Sequence, residues 1–220
     1  MTALRILLTA LIAYVLGSIS TGVLVSKAYG RVDIRSQGSG NVGMTNVMRT
    51  LGWLPSFLTF AGDTIKGVLA SFIGYKLAGE LGLHVGGIMA VIGHNWPLFF
   101  SFRGGKGMST SLGYILVADW RVALILVGVQ LAIVLITGFM SAASITTAIL
   151  LPILMTLWHH EDWRCIVFPL IACLLALYSH RANLKRLSDG TENKLDAQKI
   201  NETSSKMAQK LRDRRKKKHE

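Results

Sequence analysis

The chain has 220 residues, 51% of them hydrophobic and 16% charged, with a mean hydropathy of +0.44. A soluble domain of ordinary make-up carries about a quarter charged residues, so a water-soluble globular protein is excluded. The net charge of +12 would fit a nucleic-acid binder, but 13 of the Lys and Arg residues fall within 181–220, which is the pattern of a cytoplasmic terminus beside anionic lipid.

A bilayer-spanning helix needs about 20 mostly apolar residues. Ile6 to Val25 carries no charge and predicts a first span over 4–26. Its basic start is Arg5 alone and no soluble domain follows it, so it is expected to be retained rather than cleaved. After it comes GSGNVGMTNVMR, Gly38 to Arg49. The glycine spacing matches a dinucleotide-binding fingerprint, but that motif needs a strand before it and a helix after it in a βαβ unit, and here a membrane span precedes it. Glycines also let successive N–H groups converge on one point, a concavity that binds anions. Asn41, Thr45 and Asn46 add side-chain donors, and Arg49 adds a fork that suits phosphate. A flexible connection or close helix packing is the competing reading.

The second span, 52–75, contains Asp63 and Lys66 on one helix face. Ionisable groups at membrane depth are costly and face protein or water, so the pair reads as a polar wall of a site or as a lock between helices. A third span over 82–102 runs into GHNWPLFFSFRGGKG, Gly93 to Gly107. This run is only loosely like a P-loop: Phe100 stands where the first glycine belongs and Gly107 where Ser or Thr belongs, which disfavours ATP hydrolysis. Lys106 among Gly104, Gly105 and Gly107 is still a point charge with open backbone donors around it. Phe99, Phe100 and Phe102 read as an interface belt or as the lining of an acyl-chain channel.

The segment 107–119 is short for a span, and crosses, tilts or re-enters. Val122 to Trp158 is free of charge over 37 positions and divides into spans over 121–139 and 141–159, with the turn near Gly138. The last span, 163–180, holds Cys165 and Cys173, which lie about 12 Å apart on one helix, too far for a disulfide. Beyond it His180, Asn183 and Arg186 recur at three-residue intervals, on one face if the helix continues. Residues 195–220 are basic and poor in apolar residues, which predicts a disordered cytoplasmic tail after a membrane domain of residues 1–194.

Seven spans put the termini on opposite sides. With the basic end inside, predicted inner segments hold nineteen Lys and Arg and outer segments four, a positive-inside distribution. The three polar, glycine-containing segments then share the inner face and are expected to form one site. No Cys/His cluster has metal-ligand spacing, so neither a metal nor another cofactor is expected. Arg49, Lys106 and Arg186, with two glycine nests, suit more than one phosphate group at a bilayer, which points to phospholipid synthesis.

These motifs resemble those of the bacterial membrane acyl-phosphate:glycerol-3-phosphate acyltransferases, the PlsY family. The resemblance covers roughly residues 5–194 and rests on Gly17-Ser18-Ile19 with Lys27, Gly38 to Arg49, Gly62-Asp63-x-x-Lys66-Gly67, Gly93 to Gly107, and His180-Arg181-x-Asn183-x-x-Arg186-Leu187-x-x-Gly190-x-Glu192. Departures are mild: Ser20 for a usual Pro, Met44 for Ala and Arg103 for Lys. The resemblance implies an all-α, seven-helix integral protein of the cell (inner) membrane, N-terminus outside and active site at the cytoplasmic face. It implies acyl transfer from acyl phosphate to the 1-hydroxyl of sn-glycerol 3-phosphate, giving lysophosphatidic acid and phosphate. Carried over by motif, Ser39, Arg49, Lys106, His180 and Asn183 are the catalytic set. Gly40, Asn41, Thr45, Asn46, Gly104, Gly105, Gly107, Arg186 and Glu192 are substrate-binding. Expected partners are the two substrates, membrane lipid and the enzyme that supplies acyl phosphate, with no nucleic acid. A transporter of an organic phosphate is the alternative from another class, although no internal repeat is visible. A thioester-dependent acyltransferase is disfavoured because no His-x-x-x-x-Asp occurs.

Overall fold

The computed structural model describes residues 2–216, with side chains described through Arg212. Helices account for nearly all of the regular structure: α1 (Thr2–Gly17), α2 (Thr21–Gly30), α3 (Met44–Leu51), α4 (Trp53–Asn95), α5 (Met108–Ala118), α6 (Trp120–Thr137), α7 (Met140–Trp158), α8 (Arg164–Ser179), α9 (Arg181–Ser188) and α10 (Ala197–Lys216). The described chain falls into two compact units. One takes residues up to Ile19 with Asp63–Leu195, the other Ser20–Gly62 with the residues from Asp196 onward.

Among the described residues four stretches are long and apolar enough to cross a membrane: Thr2–Gly30, Trp53–Phe100, Trp120–Thr137 and Met140–Trp158. A fifth is added if α8 and α9, bent by 60°, count as one span. The sequence pattern predicts seven, and the difference has local causes. Residues 52–75 and 82–102 merge into the single stretch Trp53–Phe100, and α5 has only 11 residues. The merged stretch is not straight. Ala78 (φ −141°, ψ 23°) and Gly79 (φ 63°, ψ −151°) leave helical geometry. An unbroken helix would hold Asp63 and His94 about 46 Å apart, yet Asp63 Oδ1 lies 3.4 Å from His94 Nδ1. The chain therefore doubles back at Gly79, with Gly74 against Gly82 and Gly86 against Ala70.

In the first unit a buried apolar core joins the second arm of α4 to α5, α6, α7 and α8 through Leu83, Tyr114, Val122, Leu126, Leu151, Met155 and Ala172. Its outer surface is apolar as well: Leu131, Leu135 and Ile136 on α6 are exposed. In water such a surface would be a liability; in hydrocarbon it is the expected solvent face. α6 begins at Asp119, whose carboxylate accepts from the Arg121 backbone N–H (2.9 Å), the Arg121 guanidinium (2.9 Å) and His159 Nε2 (2.9 Å). The hydrogen bond from the Arg121 side chain is the largest influence on this carboxyl and holds it well below the usual range.

The second unit corrects the expectation of a disordered tail. α10 is a helix whose residues Ile200, Thr203, Ser204, Met207 and Leu211 fall on one face and are buried or half-buried, Ile200 to 4% exposure. That stripe recurs at the i, i+3, i+4 and i+7 spacing of a packed helix, and it packs against α3. Ser204 Oγ accepts from the Trp53 N–H (3.1 Å), and Asn201 Oδ1 accepts from the Trp53 indole (3.2 Å). Gly52, between α3 and α4, has no room for a Cβ because the Ser204 backbone occupies that space. The low overall apolar content hides a stripe only about one residue wide per turn.

Candidate active site

The predicted site residues lie in two groups, one in each unit. In the second unit the chain leaves α2 through a short turn, Ile34–Ser36, capped by Asp33. Hydrogen bonding from the Arg35 side chain lowers the Asp33 carboxyl to about 2. The loop that follows turns through Gly38 (φ 56°) and Gly40 (φ 72°) and enters α3 at Gly43. Its organiser is Asn46, 2% exposed. The Asn46 amide donates to Gln37 O (2.9 Å) and Asn41 O (2.8 Å) and lies 3.4 Å from Ile34 O, and its Oδ1 accepts from the Ser39 N–H (2.9 Å). An amide has two donors, and both are committed inside the loop. Asn46, expected among the substrate-binding residues, is a brace of the loop. Asn41 is partly committed too: its Oδ1 accepts from the Gly43 N–H (2.9 Å), and the Gly40 N–H is bonded to Gln37 O (2.9 Å).

What this bracing presents is the start of α3. The first N–H groups of a helix have no partner within it, and that end carries partial positive charge suited to an anion. Ser39 is exposed at the loop tip, and Thr45 and Arg49 are half-buried, one turn apart on one face of α3. The opposite face, with Val47, Met48 and Leu51, is buried.

In the first unit the loop after α4 returns over the end of that helix. The Gly105 N–H donates to His94 O (3.0 Å), and a Cβ on Gly105 would overlap the His94 ring. The loop ends at Gly107 (φ 79°), which opens α5. Between these glycines Lys106 Nζ donates to Asn183 Oδ1. Asn183, on α9 and almost fully buried, donates in turn to Glu192 Oε1 (2.7 Å). Glu192 also accepts from Ser141 (2.9 Å) and from Arg186 Nε (2.8 Å). Burial alone would raise the Glu192 carboxyl, but hydrogen bonds from Asn183, Ser141 and Arg186 outweigh it and hold it below its ordinary value.

Arg186 and Glu192, both expected to bind substrate, meet each other in this network. The Arg186 charge is matched by Glu192, and Glu192 is a buried anion surrounded by its own donors. Glu192 thereby joins Asn183 to Arg186. His180 sits at the bend between α8 and α9, buried, with its Nδ1 donating to Ala176 O (2.8 Å). The face expected for His180, Asn183 and Arg186 is therefore built on a bent helix pair, not on a continuous one. Ser141 has no signal in the sequence as a site residue because it is 51 positions from Glu192. His94 has none as a partner of Asp63 and Lys66 for the same kind of reason, since only the hairpin at Gly79 brings them together.

The family model for glycerol-3-phosphate acyltransferase matches residues 7–190, most of the chain and nearly all of both groups. The chain belongs to the glycerol-3-phosphate acyltransferase family. A glycerol-3-phosphate acyltransferase of Thermoanaerobacter pseudethanolicus is 41% identical over 188 residues, covering 86% of this chain and 94% of the relative. One from Thermus thermophilus is 43% identical over 189 residues, covering 85% and 94%. Among solved structures, PlsY (YgiH), an integral membrane glycerol 3-phosphate acyltransferase, is similar in its glycerol 3-phosphate form, with a TM-score of 0.84 at 36% identity over 89% of this chain and 98% of that one. Its lysophosphatidic acid form gives a TM-score of 0.81 at 34% identity. The family match ends before α10, which therefore lies beyond the part that these acyltransferases share with the family model.

Proposed function

We propose that the chain transfers an acyl group from acyl phosphate to the 1-hydroxyl of sn-glycerol 3-phosphate, the first acylation of phospholipid synthesis. The observation that carries this reading is Lys106, set between glycines and held by the buried Asn183–Glu192 pair, in a chain whose solved relative is described with glycerol 3-phosphate and with lysophosphatidic acid. A lysine fixed by an amide and flanked by glycines is suited to a phosphate group. In the second unit the start of α3, with Ser39, Thr45 and Arg49, supplies donors and charge of the same kind.

The chemistry asks little of the protein beyond placement. The glycerol hydroxyl oxygen attacks the acyl carbonyl carbon, a C–O bond forms, and the C–O bond to phosphate breaks. Phosphate leaves with the electron pair, and the hydroxyl proton passes to a phosphate oxygen. Orientation alone can contribute roughly 7–11 kcal/mol at the upper end, and fixed donors stabilise the developing negative charge. Lys106 and Arg49, each in its own unit, act in this second way, and Asn183 aims Lys106. His180 shapes the bend from which Asn183 projects.

The distribution of Lys and Arg supports an inside C-terminus and a site at the cytoplasmic face. Seven crossings are supported if both arms of α4 and the short α5 are counted with Thr2–Gly30, α6, α7 and α8. The decisive assay uses purified protein with glycerol 3-phosphate and a chelator, and either palmitoyl phosphate or palmitoyl-CoA. Lysophosphatidic acid from the acyl phosphate alone is the expected result. Product from the thioester alone would overturn the donor, and no product from either would move phosphate transport to first place.

A further inference from the structure

Asp63, Lys66 and His94 form a buried cluster that the proposed chemistry does not use. Their side chains are 2%, 7% and 4% exposed. Lys66 Nζ lies 2.9 Å from Asp63 Oδ1, 2.8 Å from Ile19 O and 3.0 Å from His94 Nδ1. An ammonium has three N–H groups; Ile19 O and His94 Nδ1 are its hydrogen-bond partners, and Asp63 Oδ1 is its ion-pair partner. Since the ammonium can only donate, His94 Nδ1 accepts, and the ring proton of the neutral imidazole is on Nε2. The Nε2 edge is the one that faces Gly105: it is the first atom a Cβ on Gly105 would strike. The backbone of His94 holds the same residue through its carbonyl.

The next residue repeats the arrangement. Asn95 Oδ1 lies against Gly107, and Asn95 Nδ2 donates to Ser179 Oγ (3.0 Å), immediately before His180. The end of α4 thus underlies both glycines that flank Lys106. Ionisable groups are expensive at membrane depth, and burying an ion pair gives no assured gain in stability over apolar packing. Helix packing alone does not require this cluster at the one place where the Lys106 loop rests.

We propose that Asp63, Lys66 and His94 are positioning residues for the Gly104–Gly107 loop. The ion pair fixes the His94 ring, the ring is the floor under Gly105, and that floor sets where Lys106 meets Asn183. This rests on reading Lys106 as a phosphate ligand.

The test is a double-mutant cycle between His94→Ala and Gly105→Ala, measured as kcat and KM for glycerol 3-phosphate, with melting temperature in detergent for every variant. A displacement of about 1 Å in a positioned group can cost about 100-fold in rate. G105A, whose Cβ pushes the loop off the ring, is expected to lose about that much in kcat/KM, mainly as raised KM. Adding H94A removes the ring and is expected to restore at least about 10-fold of it. The charge-removed pair D63N/K66M, which leaves no buried ion unpaired, is expected to melt close to the native chain and still raise KM. Losses that multiply in the H94A/G105A cycle would overturn the proposal. So would activity that simply follows melting temperature across the set. If the native chain turns over neither donor, the acyl-transfer reading fails on its own. The same cycle is then read as glycerol 3-phosphate affinity by calorimetric titration, where rescue supports the positioning role and its absence overturns it.

Discussion

Single residues divide here into those that present a group to an anion and those that hold the presenter still. Asn46 belongs to the second kind, and Asn46→Ala would leave buried carbonyls of the loop without a donor, at about 1–3 kcal/mol for each group left unsatisfied. A lowered melting temperature together with raised KM is the expected result, whereas Ser39→Ala, at an exposed loop tip, should reduce activity with melting unchanged. Glu192 gives a pH-dependent case. Its carboxyl titrates below its ordinary value in the folded protein, so its contribution to stability is complete above the ordinary value of about 4.5 and is lost as pH falls through the native one. The melting-temperature gap between the native chain and Glu192→Gln should therefore be widest at neutral pH and narrow only as the solution is acidified below about 4.5. Which residues stand out is largely legible in the sequence, because glycine, asparagine and arginine clustered in charge-poor surroundings are conspicuous. The division of labour is not. Asn46 and Arg186 have the chemistry of ligands, and their bonds to Gln37, Asn41 and Glu192 have no trace in the sequence.

Among the elements, long apolar runs are readable because a bilayer fixes their length, and α6 and α7 lie close to where the uncharged run divides. The hairpin in α4 shows in the sequence only as a gap between two spans; the contacts of Asp63 with His94 follow from it and have no trace in local spacing. α10 is hidden from a reading by composition, because composition averages over a helix while packing uses one stripe of it. Two expectations test these elements. Ile200→Asp places a charge against α3 and should lower the melting temperature by several degrees, whereas Lys206→Gln, on an exposed position, should leave it unchanged. Asp119→Ala removes the cap of α6 together with partners of Arg121 and His159. A cost of about 1–2 kcal/mol is expected from the cap, seen as earlier melting without change in KM.

For the molecule as a whole, the proposed sidedness can be checked directly. In a chain with Cys165 and Cys173 replaced by Ser, a cysteine at Thr2 should react with an impermeant maleimide on intact spheroplasts, and one at Ser188 only after permeabilisation. The reverse pattern would invert the topology and put the Lys106 loop outside. The second unit has one more property, and it concerns time rather than place. Trp53 and Ser204 are bonded across 151 positions of sequence, and α3 packs on a helix that is made that much later. At a ribosomal pace of about 5–20 residues per second, the loop from Gly38 to Arg49 waits roughly 8–30 s for the surface that completes it. For that interval the nascent chain carries α3 without the helix that packs on it.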